Sequence, residues 1–156
     1  MTPARQRGVT LIVSLIFLMA LAMLGLAAAR NNILQEHMSG STRNRDLALQ
    51  AAEAALKDAE QTLPSWRLLA FDGSQSGLGT YDATLPNDAP FWKAGTNWAS
   101  YRTPATALNQ VAEQPRYRVE KMPDTGTEER YRITARSVGR EATAVVVVQT
   151  VVSYTP

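Results

Sequence analysis

The chain opens with one apolar run that is far longer than any other in the sequence. From Val9 to Ala29, 21 residues carry no ionisable side chain, and Arg30 ends the run. A helix of this length is roughly 31 Å long, about the thickness of the hydrocarbon core of a bilayer. The pattern predicts a helix that spans a membrane, or one that leaves the membrane for another apolar packing. Its only hydroxyl side chains, Thr10 and Ser14, can bond to carbonyls of their own helix.

Beyond Arg30 the apolar positions keep a helical spacing as far as Leu63. Strong helix formers dominate from Leu47 onward, and Pro64 is the predicted end of the helix. Residues 39–42, with the sequence Ser-Gly-Ser-Thr, are the expected place for a bend or a loosened turn. The alanine-rich face after Leu47 is narrow, so it allows a sheet or another helix to approach closely.

Residues 64–114 alternate glycine with proline, which predicts an irregular segment. Residues 106–113 are the exception, where a short helix is expected before Pro115. Six aromatic side chains are expected to pin the segment onto a sheet, the alternative being an exposed contact surface for a neighbouring subunit. They are Trp66, Trp92, Trp98, Phe71, Phe91 and Tyr101.

The last third of the chain predicts antiparallel strands. Residues 116–122 and 131–138 alternate polar with apolar side chains, and Pro123-Asp124-Thr125-Gly126 has the composition of a turn. Gly139-Arg140 marks a tight reversal before the four consecutive valines of residues 145–148. This run is apolar on both faces, which favours a central strand or one covered on its outer face.

Arginines are frequent in these strands, and their function depends on how they are arranged. On one face they would suit DNA phosphates, but five acids are interleaved with them, so the pattern favours a solvated face with cross-strand pairs over a DNA-binding surface. The arginines are Arg116, Arg118, Arg130, Arg132, Arg136 and Arg140, and the acids are Glu120, Asp124, Glu128, Glu129 and Glu141.

Composition excludes the common catalytic and metal sites. The chain has 16 basic and 14 acidic side chains, no cysteine, and a single histidine, His37, that lies on the predicted helix. The stretch Asp72-Gly73-Ser74-Gln75-Ser76-Gly77 lacks the alternating acids and the terminal glutamate of a calcium loop. We therefore expect no catalytic residue, no metal and no cofactor, and a protein that is a substrate of enzymes rather than an enzyme.

The residues before the apolar run predict its orientation. Arg5 and Arg7 precede the run and no acid does, so the N-terminus is expected in the cytoplasm and residues 30–156 across the membrane. Two alternatives stay open. One is a cleavable secretory signal, for which Ala27-Ala28-Ala29 would supply the cleavage site. The other is a plain signal anchor that is not processed.

The third interpretation rests on the junction between the basic N-terminal residues and the apolar run. A basic leader, Gly8, and a helix that begins Val9-Thr10-Leu11-Ile12 resemble the class III signal of type IV pilins. In that family prepilin peptidase cuts after the glycine and methylates the new N-terminus. The resemblance places the cut between Gly8 and Val9, with Val9 as the methylated first residue.

Three further stretches narrow the resemblance to one family of minor pilins. The first, Arg43-Asn44-Arg45-Asp46-Leu47-Ala48-Leu49-Gln50-Ala51-Ala52-Glu53-Ala54-Ala55-Leu56, is similar to the N-terminal signature of PilX-type minor pilins. Two segments of the last third, Gln114-Pro115-Arg116-Tyr117 and Tyr131-Arg132-Ile133-Thr134-Ala135, resemble the C-terminal half of the same family.

The sequence departs from the common pilins at two positions. Val9 stands where phenylalanine is usual, and Val13 stands where the family has a glutamate, fifth from the cut. That carboxylate is thought to neutralise the terminal amine of the subunit already in place. A subunit that enters first meets no such amine, so an apolar residue suits it better. Val13 therefore indicates a tip-located subunit, although valine is also simply a good membrane residue.

The resemblance implies an α+β, pilin-like fold in which a long N-terminal helix packs on a C-terminal antiparallel sheet. The expected domains are a leader at 1–8, an assembly helix at 9–29, an amphipathic helix at 30–63, and a head at 64–156 with its loops in 64–114 and its strands in 115–156. The implied function is a minor pilin that primes pilus assembly at or near the filament tip. The alternatives are a K-like pseudopilin of type II secretion and a signal-anchored periplasmic binding or sensor domain.

Partners and location follow from the same resemblance. The implied partners are prepilin peptidase, other minor pilins, the major pilin and a PilY-type tip protein. The protein would be held in the inner membrane with a periplasmic C-terminal domain before assembly, and would lie in the pilus afterwards.

Overall fold

The computed structural model describes residues 6–155 and confirms the α+β class. A short 3-10 turn, Gly95–Asn97, follows the second helix. The elements in chain order are α1 (Gln6–Trp66), β1 (Leu78–Thr80), α2 (Ala89–Lys93), β2 (Arg116–Thr125), β3 (Glu128–Val138) and β4 (Val145–Tyr154).

The chain divides into two compact units, Met1–Ser41 and Thr42–Pro156, and each is described by itself. Within the first unit the described residues are helical, and the side chains from Val9 onward are exposed. The helix assignment is unbroken through residues 39–42, so the loosened turn expected there does not form.

The predicted end of α1 at Pro64 is wrong by two residues, because the helix continues to Trp66 with the proline in its last turn. Proline removes one N–H donor. Hydroxyl groups on either side of the proline bond to other carbonyls of the helix: Thr62 Oγ1 donates to Asp58 O at 2.6 Å and Ser65 Oγ donates to Thr62 O at 2.7 Å.

The second unit is built on a four-stranded sheet in the order β1-β2-β3-β4. β1 runs parallel to β2, and the other two pairs are antiparallel. The β2–β3 hairpin turns at Gly126 and Thr127, with Gly126 at a φ of 66°. Of the predicted turn residues 123–126, only Gly126 lies in the turn, and the other three belong to β2. Pro123 lies inside β2, where the register shifts between Met122 and Thr125, and such a bulge tolerates the missing donor.

The alanine face of α1 packs on this sheet, as predicted. Its five alanines are at most 3% exposed, and helix and sheet approach so closely that Ser137 Oγ on β3 donates to the main-chain oxygen of Ala48. The alanines are Ala48, Ala51, Ala52, Ala55 and Ala59. The core between the two layers includes Leu63, Trp66, Tyr117, Val119, Tyr131, Ile133 and Ala135.

The valine run lies on β4 at the edge of the sheet, so the prediction of a central strand is wrong. The alternative, a strand covered on its outer face, fits better, because α2 packs against β4 and the four valines of residues 145–148 are half-buried. Side chains of both parities are thus partly shielded, which explains why the run is apolar on both faces.

Residues 106–113 form no helix, contrary to the sequence expectation. Gln110 has a φ of 71°, outside the helical region. The backbone bonds elsewhere: the side chain of Gln114 accepts from Leu108 N at 2.9 Å and donates to Leu108 O at 2.8 Å, and Ala112 N donates to Gly139 O at 2.8 Å.

Gly139 begins a six-residue connection, residues 139–144, instead of the tight reversal predicted at Gly139-Arg140. A Cβ at Gly139 would overlap Asn44 Oδ1 and Asn44 O on α1. Asn44 also accepts from Glu141 N at 3.0 Å and donates to Thr143 Oγ1 at 3.3 Å. The glycine is therefore required by the contact with the helix.

We expect Gly139→Ala to lower the free energy of unfolding by roughly 1–3 kcal/mol, because the added methyl group forces the connection away from α1. Urea unfolding of the full chain in detergent, followed by tryptophan fluorescence, measures the loss. Gly40→Ala is the matched control, since a Cβ at Gly40 meets nothing within 4 Å. An equal effect of the two substitutions would contradict the close-approach argument.

Candidate functional site

The residues of the predicted cleavage site lie at the start of α1. Gly8 and Val9 are helical, whereas Arg5 lies outside the described residues and nothing is described of the Arg7 side chain. Val9 is 62% exposed and Val13 is 46% exposed. Positions i and i+4 share one helix face, so Val13 lies one turn beyond Val9 on the same face.

Residues 9–29 expose apolar side chains on every face. Leu11, Ile12 and Val13, three consecutive residues that cover most of one turn, are all largely exposed. Ser14 Oγ donates to Leu11 O at 2.9 Å, so its hydroxyl is satisfied within the helix, as predicted. The helix is long and apolar enough to cross a membrane, and no part of its most apolar stretch is buried. An apolar surface of this extent requires lipid or another apolar partner.

A second feature lies in the head, on the sheet face opposite α1. The alternation along residues 131–138 predicts that Arg132, Thr134 and Arg136 share one face of β3, and the structure confirms it. The expectation that the face is solvated is wrong, because all three are buried together with Glu120. Arg132 donates to Glu120 Oε2 from Nε at 2.7 Å and from a terminal nitrogen at 2.5 Å.

Residues 81–98 cover this face and exclude water from it. Trp92 is 3% exposed, and its indole N–H donates to Asn87 Oδ1 at 2.8 Å. The Arg132 guanidinium lies 4.5 Å from the ring centre of Tyr81, and Arg136 Nε donates to Lys93 O at 3.0 Å. The charged face therefore forms a second, polar core beneath the covering segment.

The aromatic residues of the loop segment mainly pack inside the head, as predicted, rather than forming an exposed surface. Trp66 stacks on Tyr117 on the α1 side, and the Trp98 N–H donates to Trp92 O at 2.8 Å on the other side. Phe91 and Tyr101 are half-buried, and the other four are buried: Trp66, Phe71, Trp92 and Trp98.

Glu120 is the most constrained charge in the head. Its Oε2 accepts both bonds from Arg132, whereas Oε1 accepts no hydrogen bond from the described residues. Arg118 Nε lies 3.5 Å from Oε1 and supplies an ion pair without hydrogen-bond geometry. Removing Arg132 would consequently leave a buried carboxylate with only a weak partner.

A cleft of about 580 Å³ opens beside α1, but its chemistry is structural. Tyr117 Oη donates to Asp58 Oδ2 at 3.1 Å. Burial raises the pKa of Tyr117, and the hydrogen bond to Asp58 raises it further. Burial likewise raises the pKa of Tyr131 to about 12, helped by its bond to Glu129. Both phenols stay protonated at neutral pH, so they act as fixed donors and not as bases.

The remaining candidate site residues are not brought together. His37 is exposed on α1, and among residues 6–155 no three His, Cys, Asp or Glu side chains are placed to hold a metal ion. Asp72, in the stretch compared with a calcium loop, accepts from Ser74 N at 2.9 Å, and hydrogen bonds from Ser74 lower its pKa. Asp72 therefore serves a local turn.

Two family models match the chain. One, described as PilX N-terminal, matches residues 7–57. The other, described as type IV pilus assembly protein PilX C-term, matches residues 52–153. Neither the search of the curated proteins nor that of the solved structures found a match.

We expect Arg132→Met to lower the free energy of unfolding by about 3–5 kcal/mol, because it leaves Glu120 buried without its main partner. The double substitution Glu120→Met with Arg132→Met should recover most of this loss, since no buried carboxylate is then left without its partner. Urea unfolding of the full chain in detergent measures both.

Arg130→Met is the matched control for this pair. Arg130 is half-buried on the same strand and face, and its guanidinium donates to Thr125 Oγ1 at 3.3 Å. Its loss should stay below about 1 kcal/mol. A double variant no more stable than Arg132→Met would refute the buried-charge explanation.

Proposed function

The chain belongs to the PilX family of type IV pilus assembly proteins, and we propose that it is a minor pilin that primes pilus assembly at or near the filament tip. The observation that carries the proposal is the apolar surface of residues 9–29, exposed on every face and interrupted by no charge. Such a helix suits two successive environments, the bilayer and the apolar core of a filament.

The leader supplies the first step of the proposed pathway. Arg5 and Arg7 hold the N-terminus in the cytoplasm by the positive-inside rule, and residues 30–156 then lie in the periplasm. Prepilin peptidase cuts after Gly8, where the missing Cβ lets the backbone approach the catalytic groups of a protease. Val9 becomes the methylated N-terminus. Residues 1–8 are thus the leader and 9–29 the assembly helix.

Val13 supports the proposal that this subunit is the first to enter the filament. A carboxylate here would enter an apolar bundle, and without a partner amine it costs several kcal/mol. A subunit at the tip has no earlier subunit whose amine would be that partner. The valine face formed with Val9 is exposed, so it is available to the helices of subunits that enter later.

The partners follow from this position. The assembly helix would contact other minor pilins and the major pilin, and residues 64–156 would form the head that faces a PilY-type tip protein. Residues 30–63 would connect the two. The protein is inserted in the inner membrane before assembly and lies in the pilus afterwards. The family match to type IV pilus assembly favours this pathway over type II secretion.

We expect the protein isolated from piliated cells to begin at methylated Val9, because the peptidase cuts at the Gly8–Val9 bond. Mass spectrometry of the intact protein measures its N-terminus. Gly8→Val should leave the leader attached, whereas Gln6→Ala, in the same leader, should not. A chain that still begins at Met1, or one cut after Ala29, would contradict the pathway.

We expect Val13→Glu to reduce the number of pili about tenfold or more, since each 1.4 kcal/mol of an unpaired carboxylate's cost is a factor of ten. Electron microscopy of a strain that carries only the variant gives the count. Val13→Leu keeps the position apolar and should retain normal piliation. If Val13→Glu is also fully piliated, the valine is incidental and the tip position loses its support.

A further inference from the structure

The sheet of the head has two very different edges. β1, at one edge, has three residues, of which Leu78 and Gly79 are buried. Next to it, the exposed side of β2 is closed by Arg102, whose main chain exchanges two 2.8 Å hydrogen bonds with Tyr117. This edge offers little main chain for another strand.

The opposite edge is long and open. β4 has ten residues, and it is paired with β3 in unbroken register from Val145 to Tyr154. No strand among residues 6–155 pairs with its outer side. The main-chain groups on that side therefore have no sheet partner, and they form a row of about 33 Å at 3.3 Å per residue.

β4 carries none of the features that usually prevent a free edge from pairing. Proteins protect such edges with charged side chains, proline, bulges or short strands. The sequence Val-Val-Val-Val-Gln-Thr-Val-Val-Ser-Tyr contains no charge and no proline, and the register with β3 shows no bulge. Six of the ten residues are valine, which has a high β propensity.

The edge is also held in place by its neighbours. Gln149 Nε2 donates to Asn87 Oδ1 at 3.0 Å and to Thr134 Oγ1 at 2.8 Å, so the middle of β4 is tied to the covering segment and to β3. At the far end the guanidinium of Arg67 lies 3.9 Å from the ring centre of Tyr154. A strand edge that is already ordered loses little conformational entropy when another strand binds to it.

We propose that the open edge of β4 accepts a β-strand from a different subunit of the pilus, which extends the sheet by main-chain hydrogen bonds. The absence of charge on β4 sets the chemistry of the partner: an extended, uncharged segment of up to about ten residues, rich in β-branched side chains. This inference rests on the proposed function, because it takes the partner from the same assembly.

A second copy of the chain fits the edge less well. Antiparallel pairs are the more common and more stable arrangement, and two β4 strands paired in this way are related by a two-fold axis normal to the sheet. The helices that pack on the two sheets, residues 42–66 of each copy, would then run in opposite directions. Copies that enter one filament by the same step keep a common direction, so this pairing does not fit the proposed pathway.

Photo-crosslinking in piliated cells tests the inference, with p-benzoylphenylalanine in place of Val151, which is 47% exposed on β4. We expect an adduct with another pilus protein, and mass spectrometry should map it to one extended, uncharged segment. The same probe in place of Leu68, which is 86% exposed outside the sheet, should not give that adduct. An adduct with a second copy, or none at Val151, would overturn the inference.

A substitution that should prevent strand addition to β4 provides a second test of the inference. With the probe moved to Ser153, Val151→Lys places a charge on the edge and should reduce the adduct at least tenfold, whereas Leu68→Lys should not change it. The N-terminus is determined in the same samples. A chain that begins at methylated Val9 but forms no adduct refutes the strand-addition inference alone, whereas an uncut chain refutes the proposed function.

Discussion

The close contact between the alanine face of α1 and the sheet is the constraint on which the head depends. Because alanine is short, the helix and the sheet approach so closely that the Ser137 hydroxyl bonds to the main-chain oxygen of Ala48, and that Asn44 leaves no room for a Cβ at Gly139. Larger side chains on this face would separate the layers and remove these contacts together. The core on this side consequently takes its bulk from the sheet and from the end of the helix, through Tyr117, Tyr131, Ile133 and Trp66.

The second face of the sheet is stabilised differently. There the buried groups are charged, and the Glu120–Arg132 pair replaces the apolar layer found against α1. Such a pair adds little net stability over apolar residues of similar volume, but the loss of one partner is strongly destabilising. Its cover of indole rings and main-chain carbonyls lies within the otherwise irregular residues 81–98. The irregular segment is therefore one of three layers in the second unit, in the order residues 42–66 of α1, sheet and covering segment.

Local pattern predicted the elements well and their surroundings less well. The period of α1, the alternation along β2 and β3, and the two faces of β3 could all be assigned, because each depends on side chains close in sequence. The burial of Arg132 could not, because the cover comes from Trp92 and Tyr81, about 40–50 residues earlier in the chain. One signal was available: β4 is apolar on both faces, which indicates a cover on the side opposite α1. Residues 106–113 were misassigned because Gln114, just beyond them, bonds to their backbone in place of a helix.

The contacts of Asn44 also have a consequence for how the protein folds during synthesis. They join Asn44, near the start of the second unit, to Glu141 and Thr143, 97 and 99 residues later. Ser137 joins Ala48 across 89 residues. The alanine face thus has no sheet to pack on until nearly the whole chain has left the ribosome, and loop closures of this length are slow. During that interval residues 42–66 present a bare apolar stripe, so a chaperone that binds such stripes would act on the nascent protein before the last strand arrives.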